Sequence, residues 1–175
     1  MEAQRSTSIF SPLADLLAEH GFDAVKGTTL YPHLYRKGEL YIGVSVSFDP
    51  RDAPFFCRVS LGEGSIEMPD ADWNSTALWR LVKAKAPGHY AAGTEPYGFK
   101  PGEDVGPVAL RVRDDLQQFG QDFLQGDLRV FRRARAEQNQ ERQPYLVHRP
   151  GPDGKYQTEA EPSSQTLKER YSRPE

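Results

Sequence analysis

Residues 40–48 read Leu-Tyr-Ile-Gly-Val-Ser-Val-Ser-Phe, and residues 55–61 read Phe-Phe-Cys-Arg-Val-Ser-Leu. In both runs apolar residues alternate with others, a period of two that is typical of half-buried strands. Turn-forming residues at 49–54 separate the runs, so the sequence predicts an antiparallel hairpin. Folding about this turn pairs residues that all face one buried side of the sheet. The pairs are Phe48 with Phe55, Val46 with Cys57 and Val44 with Val59.

A third strand is predicted over Thr28 to Arg36, joined to the hairpin by a tight turn at Lys37-Gly38. Pro32 lacks an N–H donor and is expected to confine this strand to a sheet edge. Because nothing else protects that edge, the sequence fits either a monomer or a homodimer through it. The register stays open between two choices. A two-residue turn sends Tyr31, His33 and Tyr35 inward, and a bulged turn sends Leu30 and Leu34 inward.

Helices are predicted on both sides of the strands, because apolar residues there recur every three or four positions. Ser can cap the free amides at the start of a helix, and Pro suits the first turn. Gly commonly ends a helix, so these residues predict where each helix begins and ends. The limits are Ser11-Pro12 to Gly21, Asp72 or Asn74 to Pro87-Gly88, Pro107 to Phe123, and a shorter helix after Gly126-Asp127. The residues expected to complete the core are Phe10, Leu13, Leu17, Trp79, Leu81, Val112, Leu116, Phe119 and Phe123.

These elements predict an α+β fold, a three-stranded antiparallel meander packed on one face by about four helices. A single domain is expected over residues 1–137. From Gln138 the composition turns to Gln, Glu, Pro, Ser and Gly, so 138–175 is expected to be a polar extension, peripheral or disordered. Within it, 145–148 and 155–158 can form a weak hairpin, and a solvated tail is expected beyond Ala160.

The order of elements resembles an uncharacterised family of small bacterial proteins, over about residues 9–135. Such proteins have a helix, a "GF" followed by an extended segment, a hairpin ending in "LG", a Trp-bearing helix and a long helix. The resemblance implies an α+β fold and no activity. The matching residues are Gly21-Phe22, Leu34-Tyr35-Arg36, Val59-Ser60-Leu61-Gly62, Trp73, Trp79 and Phe123-Leu124.

The composition excludes several classes of protein. The 175 residues carry a net charge of −3, which disfavours a globally basic nucleic-acid binder. A single Cys excludes an intramolecular disulfide and a multi-Cys zinc site. No apolar run is long enough to span a bilayer, and the first ten residues lack the apolar stretch of a signal peptide, so a cytoplasmic location is expected.

Catalysis is the minority interpretation, and no catalytic residue, metal site or cofactor is predicted. Cys57 falls on the apolar face of the hairpin, where a thiol acts as a small hydrophobe. The four His residues lack the spacing of a metal site, and Asp114 and Asp115 are interpreted as solvated. An enzyme would need a pocket between the hairpin and the irregular loop over Gly88 to Pro107, with His33 or His89 as acid or base.

Two surfaces suggest binding. The first is the non-core face of the hairpin, where aromatics, an Arg and hydroxyls form a platform for a protein segment or for stacked bases. Its candidate residues are Tyr41, Ser45, Ser47, Phe56 and Arg58.

The second is the Arg-rich terminal helix, with Arg129, Arg132, Arg133 and Arg135, in a segment 127–149 of net charge +3. It suits phosphates or an acidic partner. The predicted function is a non-catalytic adaptor, inhibitor or immunity-type protein that binds another protein. The alternatives are nucleic-acid contact through the Arg helix and, less favoured, an enzyme.

Overall fold

The predicted hairpin lies at the centre of a six-stranded antiparallel sheet in the computed structural model, which describes residues 10–49, 51 and 55–175. Five strands follow one another across the sheet in chain order, and β6 pairs with a separate part of β4. The strands are β1 (Asp23–Val25), β2 (His33–Lys37), β3 (Leu40–Ser47), β4 (Phe55–Glu63), β5 (Ser75–Ala77) and β6 (Gly98–Phe99). The α+β class is confirmed, whereas the prediction of a three-stranded meander is wrong.

The register of β3 with β4 agrees with the alternation of apolar residues. Val44 pairs with Val59 and Val46 pairs with Cys57, as predicted. Phe48 lies beyond the ladder, and the prediction that it is buried is wrong because it is 59% exposed, although its ring contacts that of Phe55 at a centroid distance of 5.9 Å. The predicted turn at 49–54 falls mostly outside the described residues.

The open question about β2 is resolved because both faces of the sheet are covered. The turn is at Gly38-Glu39, and Tyr35 pairs with Ile42, so Tyr35 points into the main core. Leu34 points to the opposite face and is also buried. The expectation that Pro32 marks an edge is wrong, because Pro32 precedes β2 and β1 lies beside it.

Seven helices surround the sheet in the described part of the chain, more than the four or so expected. None of them is long and apolar enough to cross a bilayer. They are α1 (Ser11–Glu19), α2 (Asp70–Trp73), α3 (Leu78–Lys85), α4 (Gly106–Phe119), α5 (Gln121–Gln125), α6 (Arg129–Glu141) and α7 (Pro162–Tyr171).

Of the two sequence signals predicted to delimit α1, the one at its C-terminal end is observed. Gly21 has a φ of 78°, and its N–H and that of Phe22 bond to the carbonyls of Ala18 and Leu17, a Schellman ending. The cap at the start is Phe10, not Ser11.

The single helix predicted from Asp72 or Asn74 is two helices separated by β5, and neither residue caps α3. Asp72 lies inside α2 and Asn74 ends it. The sequence signal of one long helix came from apolar residues that belong to two different elements.

The main core lies between one sheet face and helices α1, α3, α4, α5 and α6. Every residue predicted to complete this core is buried except Trp79, which packs at its margin. Cys57 is 1% exposed, and burial raises the pKa of its thiol to about 12.

The second sheet face carries a smaller core of Tyr31, Leu34, Tyr41 and Ala71. The two tyrosine rings lie directly over Gly43 and Gly62, where a Cβ would overlap them. The hydroxyl of Tyr41 donates to Oδ1 of Asn74 at 2.6 Å. Glycine is therefore required at both positions because an aromatic ring occupies the space of a side chain.

The segment 138–175 contains the end of α6 and three further elements. Strands β7 (Leu146–Pro150) and β8 (Tyr156–Ala160) form the predicted hairpin. The solvated tail expected beyond Ala160 is instead α7, whose first turn is capped by the carboxylate of Glu161 accepting from the N–H groups of Ser163 and Ser164.

Helix α7 packs against α2 and α6. The side-chain amide of Asn139 donates to the carbonyls of Trp73 and Tyr171, at 2.8 and 3.1 Å. The guanidinium of Arg142 lies 4.5 Å over the Trp73 ring, and the Tyr145 ring lies 6.0 Å from it. The C-terminal segment thus covers Trp73.

Candidate binding groove

A buried carboxylate, Asp115 on α4, holds the loop that joins α3 to α4. Its Oδ1 lies 3.0 Å from Nε2 of His89, and its Oδ2 accepts from the hydroxyls of Tyr90 and Tyr97 at 2.6 and 3.0 Å. Asp115 is 8% exposed, so these donors replace the water that the carboxylate loses. Burial raises the pKa of both tyrosine hydroxyls, which keeps them protonated as donors.

Aromatic contacts hold the same loop from its other side. The ring of His89 packs edge-on against Tyr90 and Phe119, each at a centroid distance of 4.8 Å. The hydroxyls of Tyr90 and Tyr97 lie 2.9 Å apart. Residues 91–96, which follow Tyr90, are therefore attached to α4 at both ends and form a fixed wall beside α3.

Trp79, on the outer side of α3, lines three adjoining cavities. The first has a volume of about 430 Å³ and lies between α3 and α6. The second, of about 380 Å³, lies between α3 and the loop wall, and the third, of about 180 Å³, lies between α3 and β4. Lys83 and Pro87 are shared by the first two, and Glu95 by the last two. We call this continuous depression the Trp79 groove.

The Trp79 groove has an aromatic centre and charged walls. The indole is half-buried, and the Arg80 guanidinium lies 4.9 Å over it. Arg80 forms an ion pair with Glu141 at 3.3 Å. Cations slightly outnumber anions along the groove, although the whole chain is acidic. The cations are Arg58, Arg80, Lys83 and Arg133, and the anions are Glu95, Glu137 and Glu141.

The candidate residues of the sheet face separate into two groups. Phe56 and Arg58 line the third cavity beside Trp79, and Ser47 and Ser45 stand opposite them on β3, both half-buried. Tyr41 is fully buried in the second core, so the expectation that it lies on an open face is wrong. The open part of this face is thus the end that reaches the groove.

The arginines of α6 are mostly engaged within the chain. Arg132 donates to Glu63 at 2.5 and 3.1 Å, and Arg135, 3% exposed, donates to it at 3.3 Å. Arg129 forms an ion pair with Asp127 at 2.6 Å. Arg133 is exposed and lines the first cavity of the groove. The structure thus brings Arg133 and Arg58 to opposite ends of one groove.

The residues considered for catalysis do not meet at a cavity. Neither His33 nor His89 lines any of five main cavities in the described part of the chain. Among the described residues no three His, Cys, Asp or Glu side chains converge as a metal site requires. The Asp115 network instead has the geometry of a clamp on the loop.

Comparison with protein families, with curated proteins and with solved structures finds no match for this chain. The resemblance to small bacterial proteins gains no support from it, and function has to be inferred from the groove itself.

The sequence gives an incomplete picture of two residues of this site. Trp79 shares the apolar spacing of α3, which predicts a core residue; it does pack against the core, but it is only half-buried because it also borders the groove. The sequence interpretation of Asp115 as solvated, like Asp114, is wrong. Adjacent helical residues diverge by about 100°, and that divergence is what buries Asp115 while Asp114 pairs with Arg113 at the surface.

Proposed function

We propose that the protein is a non-catalytic binding module that takes an extended segment of a partner protein into the Trp79 groove. The observation that supports this proposal is the position of Trp79, half-buried and shared by all three cavities. Trp, Tyr and Arg carry most of the binding energy at protein interfaces, and they act best in a half-closed setting with a polar rim.

The shape of the groove favours a chain over a small molecule. Small-molecule sites are usually one concave, mostly apolar cavity of about 300–1,000 Å³. Here three cavities follow one another around Trp79, and charged side chains, Lys83 and Glu95, lie where they adjoin. Successive side chains of an extended peptide fit this arrangement, with an apolar anchor against Trp79.

The cations of the groove indicate which residues should flank the apolar anchor of the partner segment. Lys83 and Arg133 are exposed on the first cavity, and Lys83 is shared with the second. An acidic residue beside the apolar anchor would meet these cations. We therefore propose a partner segment with an aromatic or large aliphatic residue next to Asp or Glu, bound in the cytoplasm.

The two alternatives have less support. Nucleic-acid contact through α6 stays a prediction, and the ion pairs of Arg129, Arg132 and Arg135 with carboxylates of this chain reduce the charge available for phosphates. An enzyme using His33 or His89 stays a prediction, and neither side chain lines one of the five main cavities of the described residues.

A random peptide display library, selected on the immobilised protein, tests the proposal. We expect enriched peptides to carry an apolar anchor with an acidic neighbour. A labelled synthetic version of an enriched peptide should bind the Trp79→Ala variant at least about tenfold more weakly than it binds the unchanged protein. That factor corresponds to a loss of about 1.4 kcal/mol of binding free energy. Lys83→Glu, which alters only an exposed groove side chain, should weaken binding about threefold to tenfold.

Leu110→Ala and Lys155→Glu are the matched controls, because they remove an exposed apolar and an exposed cationic side chain that line none of the three cavities of the groove. Both should bind the peptide as the unchanged protein does. Selection of no peptide above a blank surface, or equal affinity for Trp79→Ala and the unchanged protein, would contradict the proposal.

A further inference from the structure

The β7–β8 hairpin is a two-stranded ribbon with both faces open to solvent. Along β8 every side chain is exposed, and along β7 only Val147 is half-buried. Two large apolar residues stand out on it, Leu146 at 59% and Tyr156 at 75% exposure. A ribbon with neither face covered is stabilised by little more than its own hydrogen bonds, which is marginal in water.

The hydrogen bonds at the two ends of the ribbon fix which backbone groups point outward. Gly151 N–H donates to the Lys155 carbonyl, and Glu161 N–H donates to the Tyr145 carbonyl, each at 2.7 Å. Hydrogen-bonded pairs alternate with non-bonded pairs along an antiparallel ladder. The odd-numbered residues of β8 therefore bond to β7, and the even-numbered ones, Tyr156, Thr158 and Ala160, direct their N–H and C=O groups to the outer edge.

The two edges of the ribbon differ in what they offer. By the same alternation, the outward residues of β7 are Leu146, His148 and Pro150, and proline has no N–H to donate. The outer edge of β8 has a donor and an acceptor at each of its three outward residues. An unprotected and complete edge of this kind is a template for another strand.

We propose that β8 pairs antiparallel with β8 of a second copy of this chain, about a two-fold axis at Thr158. In this register Thr158 faces Thr158, and Tyr156 faces Ala160 of the second copy. Every outward N–H and C=O of these three residues then finds a partner. A two-fold contact requires such self-complementarity, because each copy presents the same surface.

The side chains agree with this register. Gln157 stands opposite Glu159 of the second copy, so an amide donor meets a carboxylate and no like charges face each other. Leu146, Pro150, Tyr156 and Ala160 share one face of the ribbon, with His148 and Thr158 between them. In the four-stranded sheet the two sets join into one face that is twice as wide, with apolar residues on both sides of the His148–Thr158 pairs. This inference is independent of the Trp79 groove.

Thr158→Pro and His148→Pro form a matched pair for the test. Each removes an outward N–H from one edge, and each removes the same cross-strand hydrogen bond, between Thr158 Oγ1 and His148 Nδ1 at 3.0 Å. By sedimentation analysis we expect the unchanged protein to reach twice the mass of the 19.7 kDa chain as its concentration rises. Thr158→Pro should raise the dimer dissociation constant at least about tenfold, and His148→Pro less than about threefold.

A cross-link tests the register even if proline disturbs the hairpin. Thr158→Cys places two thiols across the two-fold axis, at the Cα separation of about 5.5 Å that suits a disulfide. This variant should give a disulfide-linked dimer under mild oxidation. His148→Cys should not, because β7 lies on the far side of β8 from the axis and the two thiols would be too far apart. A monomer at all concentrations together with no cross-linking of Thr158→Cys would overturn the proposal, as would equal effects of the two proline variants.

Discussion

Nε2 of His89 lies 3.0 Å from Oδ1 of Asp115, although 26 positions separate the two residues in the chain. This contact and the two tyrosine hydroxyls on Oδ2 attach the loop after α3 to the middle of α4. The loop in turn forms one wall of the Trp79 groove, so a buried carboxylate determines the shape of a surface depression.

Asp115→Asn should therefore destabilise the fold. An amide presents N–H groups to donors that need an acceptor, and the expected loss is about 1–3 kcal/mol of unfolding free energy. Chemical denaturation measures it. Asp114→Asn is the control, because Asp114 lies at the surface beside Arg113 and its change should cost less than about 0.5 kcal/mol. Equal losses in the two variants would contradict the clamp.

Glu63 predicts an acid-sensitive contact between β4 and α6. Hydrogen bonds from Arg132, assisted by the charge of Arg135, lower the pKa of Glu63 below its ordinary value of 4.5 against the opposing effect of burial. The unfolded chain then binds a proton at higher pH than the folded chain does. The stabilisation is complete above pH 4.5 and is lost as the pH falls through the lowered pKa.

Glu63→Gln tests this sign. The variant should lose about 2 kcal/mol of unfolding free energy at pH 7, since two guanidinium groups lose their carboxylate, one of them buried. The difference from the unchanged protein should shrink as the pH is lowered from 7 to 3. Glu19→Gln, at the exposed end of α1, is the control and should show no such trend. A difference that is constant with pH would disprove the assignment.

Gly62 is required because the Tyr41 ring occupies the space of its side chain. Gly62→Ala should cost about 1–3 kcal/mol, the usual effect of overpacking a core. In the control, Gly88→Ala, a Cβ meets no atom within 4 Å, and the change should be close to neutral. Thermal unfolding of the two variants side by side provides the measurement. A melting temperature for Gly62→Ala equal to that of Gly88→Ala would show that the ring moves aside.

Cys57 predicts a thiol that reacts only when the chain unfolds. Burial raises the pKa of this thiol to about 12, so almost no thiolate is present at pH 8. A thiol reagent should label the native protein at least about a hundredfold more slowly than the protein in denaturant. The chain has one Cys, so one label per chain is the expected end point. Rapid labelling of native protein would contradict the burial of this residue.

The main hairpin could be predicted because its information is local. Alternation over 40–48 and 55–61 determines which side chains face the core, and one register satisfies both runs. Strands β5 and β6 have three and two residues. Runs that short carry no period, and they become strands only because β4 offers them free backbone groups. Periodicity within the chain therefore could not reveal them.

The second core and the groove were not predictable for a different reason. Tyr41 alternates with Leu40 and Ile42, which is the pattern of a solvated face, yet residues far along the chain cover it. Helix α7 was missed because its composition is polar, although Glu161-Pro162 is a helix-start signal in the sequence. Contacts between residues far apart in the chain, such as that between His89 and Asp115, cannot be predicted from the spacing of neighbouring residues.

The covering of Trp73 by the C-terminal segment has a consequence for synthesis on the ribosome. Domains fold as units while the chain emerges from the N-terminal end. Trp73 is enclosed by Arg142, Tyr145 and a helix anchored through Asn139 and Tyr171, all of which are translated long after the sheet. A chain interrupted before residue 139 would therefore lack every one of these groups, and its Trp73 would be without this cover while the rest of the sheet is already made.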